Sequence, residues 1–96
     1  MTNALLSALI RRAILDLVED TGGELNDEVI TLMLNELGHR VARSVARKEI
    51  AWLHQLGLVR METAAEFLIV RSTQAGRDVA NGLLRVEGVS RHKTGE

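Results

Sequence analysis

The 96-residue chain contains no cysteine. That excludes a disulfide framework, a thiolate metal site and thiol-based catalysis or redox sensing, and it points to a cytoplasmic setting. Long hydrophobic runs are missing as well: no apolar stretch approaches the roughly 20 residues that span a bilayer, so no membrane partner is expected. The amino terminus lacks the charged start, apolar centre and small-residue cleavage site of a signal peptide, which predicts a soluble, unprocessed chain. Catalytic patterns are equally scarce. His39, His54 and His92 stand far apart, with no HExxH pair and no carboxylate at ligand spacing. Ser7, Ser44, Ser72 and Ser90 have no nearby histidine to activate them, and Gly22-Gly23 ends a helix rather than cradling phosphate. The expectation is therefore no enzyme, no catalytic residue, no metal site and no cofactor.

What the chain does have is 46% apolar residues, enough to close one modest core, so a single domain is expected. Its net charge of −1 argues against a general polyanion binder. The distribution of charge is more informative than the total. Over residues 1–38, Arg11 and Arg12 stand against seven acids for a net of −5, residues 39–60 carry a net of +4, and residues 61–96 balance to zero. A positive field concentrated on one segment suits a focused contact better than a broad coat.

Apolar positions recurring at three and four predict a first helix over residues 3–20, ended by Thr21-Gly22-Gly23. A short extended bridge follows at Glu24-Leu25. Asn26 or Asp27 then caps a second helix that runs to about Leu37, with Gly38 supplying the turn into a third. The run from His39 to Val59 sorts its charges almost completely onto one side when wound at about 100° per residue. Arg40, Arg43, Ser44, Arg47, Lys48 and Ala51 share one arc; Val41, Ala42, Val45, Ala46, Ile50, Trp52, Leu53 and Leu56 fill the other. Two helices joined by a short Gly-containing turn, the second bearing cations, read as a helix-turn-helix. Residues 58–63 and 66–71, rich in branched and aromatic side chains, predict a hairpin around Ala64-Ala65. Thr73 caps a last helix from Gln74 to about Leu84, whose early Gly76 would let it lie close on neighbouring backbone. Residues 85–96 are polar and aperiodic and read as a flexible tail beyond a domain of residues 1–84.

The order helix, strand, helix, helix, hairpin, helix resembles the winged helix-turn-helix domain of small bacterial transcription regulators of the arsenic-repressor and multiple-antibiotic-resistance types. Two segments carry the resemblance: Ser44 to Val59, which ends in Leu-His-Gln-Leu-Gly-Leu-Val, and Ser72-Thr73-Gln74-Ala75-Gly76-Arg77, which looks like the Thr-x-x-Gly-Arg step after the wing. As a whole the chain also resembles a small winged-helix protein of Mu-like phages and prophages. The resemblance implies an α+β, mainly helical fold with a three-helix core, a short β-hairpin wing and a C-terminal helix. It further implies a homodimer joined through the N- and C-terminal helices, with the third helix reading the major groove of duplex DNA as a small phage or prophage regulator. On that reading Arg43 and Arg47 face base edges, Arg40 and Lys48 position the phosphate backbone, and Ser44 does either. Metal sensing of the arsenic-repressor kind is disfavoured, because its soft thiolate ligands are missing.

Two residue sets complicate that expectation. Glu62 and Glu66 flank the wing tip, and like charge beside phosphate is repulsive. A winged helix used for protein association or assembly is therefore the alternative. Glu49 sits in the middle of the apolar arc, where a carboxylate must be paired or at an interface, since burying it alone is costly. Arg11, Arg12 or another strand or helix residue is the expected partner, with a dimer contact or ligand sensing as the other option. For Trp52, core packing is expected over a role as a dimer anchor.

Overall fold

Asn3 starts the first helix by accepting hydrogen bonds from the Leu5 and Leu6 amides on its side-chain oxygen, as expected of an N-cap. In the computed structural model, which describes residues 3–94, the elements that follow are α1 (Ala4–Asp20), β1 (Glu24–Asn26), α2 (Asp27–Glu36), α3 (Arg43–Gln55), β2 (Val59–Ala64), β3 (Phe67–Ser72) and α4 (Gln74–Ala80). Residues 1–2 and 95–96, the outer ends of the expected domain and tail, lie outside the described residues. About half the chain is helical, and the strands form one antiparallel sheet in the order β1-β3-β2. The α+β class and the order of elements agree with the sequence reading.

The core forms where the apolar stripes of three helices meet one face of the sheet. Ile10, Ile14 and Val18 of α1, Ile30 and Leu34 of α2, Ala46, Ile50 and Leu53 of α3, and Val59 and Val70 of the strands are all buried together. Each large apolar side chain so removed from water contributes about 1.5–3 kcal/mol, so this cluster drives folding. Register follows from the same alternation: Leu25, Val70 and Met61 align across the three strands and pack on the core. On the alternate row, Arg71 bonds Glu24 at 2.7 Å and Glu62 at 2.6 Å. These pairs are solvent-exposed and add little.

Three expectations are corrected. The third helix begins at Arg43, not near residue 40. Gly38 turns at φ +94, and residues 39–42 belong to no helix or strand: Ala42 is the extended N-cap of α3, and the Asn35 side-chain amide donates to the Val41 carbonyl. Val41 and Ala42 match helical spacing only by coincidence, and Arg40 therefore stands off the helix. The fourth helix stops at Ala80, because Gly82 at φ +77 lets the Leu83 amide close back on the Asp78 carbonyl at 2.8 Å. Leu83, just past this turn, is 79% exposed. Residues 85–94, expected as a frayed tail, pack against α1: Val89 is buried in the core, the Ser90 amide donates to the Ala8 carbonyl, and Arg12 donates to the Ala80 and Arg91 carbonyls, both at 3.0 Å. Val89, the partly buried Val86 and a set of backbone carbonyls suffice to dock a segment whose composition reads as loop.

Gly76 lets α4 lie close on neighbouring backbone, that of Leu58 in the link between α3 and β2. A Cβ built there would lie 2.0 Å from the Leu58 carbonyl oxygen. Gly76→Ala must therefore displace backbone, and the expected loss is about 3 kcal/mol, the upper end of the usual cost of overpacking. Urea denaturation of the parent and the variant measures it.

Candidate functional site

The cationic residues singled out in the sequence divide into two groups once the chain is folded. Asp27 opens α2 directly after its cap, Asn26, whose side-chain oxygen accepts from the Val29 amide. A carboxylate in the first turn is favoured by the helix dipole, yet this one is fully buried and faces α3 and the hairpin rather than solvent. Arg43 and Arg47, one turn apart on α3, both aim at it. Their Nε atoms donate to Asp27 Oδ2 at 2.7 and 2.6 Å, and the Leu68 backbone amide of β3 donates to Oδ1 at 2.8 Å.

The same two guanidinium groups reach the hairpin turn. Arg43 Nη2 and Arg47 Nη2 donate to the Glu66 carbonyl at 2.9 and 2.7 Å, and the Arg43 guanidinium lies 5.4 Å from the centre of the Phe67 ring. The turn is Ala65-Glu66, between the closing pair Ala64 and Phe67. Ala65 holds φ +55, a left-handed conformation that tight hairpins usually assign to Gly, Asn or Asp. Two charge-assisted bonds on the next carbonyl fix a turn that its own residues specify poorly.

Electrostatics follow the geometry. Burial pushes the Asp27 carboxyl up, but bonds from Arg43, Arg47 and the Leu68 amide outweigh that and hold it well below the usual carboxylate range. The bond to Asp27 in turn raises Arg43. Arg43 and Arg47 retain side-chain exposures of 35% and 41%, so their outer edges reach water while their donors face inward. Arg40, Ser44 and Lys48 are exposed, and among the described residues neither Arg40 nor Lys48 has a carboxylate within ion-pair distance.

Asp27 is the residue that sequence reasoning missed, having been read only as a helix cap. The available signal was an Arg pair at i, i+4 with no acid of its own helix within a turn on the same face. Glu49 resolves as a buried ion pair with Arg11 at 3.0 Å. Arg11 also stacks 3.7 Å over the Trp52 ring and donates to the Gly88 carbonyl, so Trp52 packs on the core beneath a cation. His39 Nε2 lies 2.9 Å from the Thr94 hydroxyl and His54 Nδ1 lies 3.3 Å from the Val59 carbonyl oxygen. Among the described residues no group of three or more His, Asp or Glu is placed to hold a metal ion, and no helix is long and apolar enough to cross a membrane.

Fold and site together describe a small α+β domain in which an acid at the head of one helix organises two arginines of the next and the hairpin turn. The chain is 38% identical over 91 residues, 95% of its own length and 95% of the relative's, to "Uncharacterized protein gp26" of Escherichia phage Mu, and it belongs to that protein's family. No protein-family model matches the chain, and no solved structure matches it.

Replacing Asp27 tests the site as a structural unit. Asp27→Asn keeps the shape and removes the charge. Breaking a buried ion pair costs about 3–5 kcal/mol, and with both arginines partly solvated about 2–3 kcal/mol is expected here, a fall in Tm of roughly 10–20 °C. Because the folded pKa lies below the unfolded value of about 3.9, the charge contributes fully above that pH and its contribution is lost as pH falls further. The gap between parent and variant should therefore narrow on acidification, which thermal melts at neutral pH and at about pH 3 would reveal.

Proposed function

We propose that this chain is a winged-helix module that acts by protein association, in phage or prophage biology. The observation that carries this reading is the engagement of Arg43 and Arg47, the two side chains best suited to base edges, by Asp27 and the Glu66 carbonyl. Reading guanine would require each arginine to present its donors outward, and leaving Asp27 buried without them would be costly. The hairpin turn adds the exposed Glu66, whose charge repels phosphate. Exposed leucines support association: Leu5 and Leu6 at the start of α1, Leu32 on α2, and Leu83 and Leu84 after α4. Kinship with a protein of phage Mu supports the phage setting.

A second reading, a homodimeric regulator that binds duplex DNA, is favoured by one observation. Arg40, Ser44 and Lys48 are exposed around the start of α3, where they could grip phosphates without disturbing Asp27. Fluorescence anisotropy with random duplex DNA at two salt concentrations separates the readings. The association reading predicts no salt-sensitive binding. Binding that weakens steeply with salt, and that is lost in Arg40→Ala with Lys48→Ala, would overturn it in favour of a regulator.

A further inference from the structure

A groove of 360 Å³ opens between the start of α1 and the approach to α3. Leu6, Ile10, Val41 and Val45 give it an apolar lining, and Arg40 and Lys48 stand at its rim. Leu6 and Val45 remain exposed in the isolated chain. Glu49 also borders the groove, but its carboxylate is committed to Arg11, so the uncompensated charge there is positive. An occupant must therefore offer apolar anchors flanked by acid.

The same chain carries such a surface on α2. Glu28, Val29, Leu32 and Glu36 are all exposed, and at helical spacing they fall within an arc of about 100°. Leu32, one turn from each glutamate, is 61% exposed. An apolar helix face set in a groove, with acids meeting the basic rim, is a common mode of recognition, and the opposite charges would steer the encounter and fix register.

We infer that the groove between α1 and α3 receives α2 of a second copy of this chain, with Leu32 and Val29 as anchors and Glu28 and Glu36 facing Arg40 and Lys48. This rests on the association reading and names its partner. Contacts made reciprocally close a dimer; contacts made in one direction continue into a ring or filament. The rim pairs are screened by salt while the apolar anchors are not, so self-association should weaken with salt without vanishing.

Charge exchange tests the contact on the full chain by sedimentation, with circular dichroism confirming that each variant is folded. The parent should sediment at twice the 10.6 kDa chain mass or more. Arg40→Glu with Lys48→Glu should be monomeric, and so should Glu28→Lys with Glu36→Lys. An equimolar mixture of the two variants should regain the parent's mass, because each then offers the charges the other lacks. A parent that stays monomeric at about 100 μM, an assembly that ignores both double substitutions, or a mixture that stays monomeric would each overturn the inference. Salt-sensitive DNA capture by the parent would count against the association reading separately, since it is read by anisotropy and not by mass.

Discussion

One buried carboxylate joins three parts of this fold: the head of α2, the first two turns of α3 and the β2-β3 hairpin. Asp27 sits at the head of α2, accepts from two arginines of α3 and from a backbone amide of β3, and so ties helix to helix and both to the hairpin. The arginines extend that tie to the Glu66 carbonyl beyond the left-handed Ala65. Burying an ion is justified only when its partners are well placed and its remaining lone pairs are satisfied. Here no buried side-chain polar atom among the described residues is left without a partner.

The rest of the polar interior follows the same plan on a smaller scale. Arg11 joins Glu49, Trp52 and the Gly88 carbonyl. Arg12 joins Asp16 at 3.0 Å and the carbonyls that fasten residues 80–91. The charge asymmetry along the chain, acid before residue 39 and base over residues 39–60, is partly consumed within the fold, where Asp27 takes Arg43 and Arg47. A segment that looks like a cationic binding face in one dimension becomes, in three, a set of cross-braces with a smaller exposed remainder.

Most of the architecture was legible from local pattern, and the failures have identifiable causes. α1, α2, the hairpin and the cap at Thr73 follow from apolar spacing and turn residues that act within a few positions of each other. The start of α3 and the end of α4 were misplaced because Val41, Ala42 and Leu83 fit a helical repeat that Gly38 and Gly82 interrupt. The docking of residues 85–94 was invisible to composition, since it depends on α1 carbonyls and guanidinium groups far away in sequence. For the candidate site, all five singled-out residues were placed near one another, but the division between Arg43 and Arg47 on one side and Arg40, Ser44 and Lys48 on the other depends on Asp27, 16 and 20 residues upstream of the two arginines. The local sequence marks only that the arginine pair lacks an acid on its own helix face, not which residue supplies one.

The most direct test of the account is the titration of the Asp27 side-chain carboxyl carbon by NMR. If two guanidinium groups and an amide hold it in the ionised form, its chemical shift will stay flat through the range in which ordinary aspartates protonate, around pH 3.9, and will move only when the fold itself gives way. A midpoint close to that ordinary value in the folded protein would mean that Arg43 and Arg47 are not bound to it, and that they are available to a partner after all.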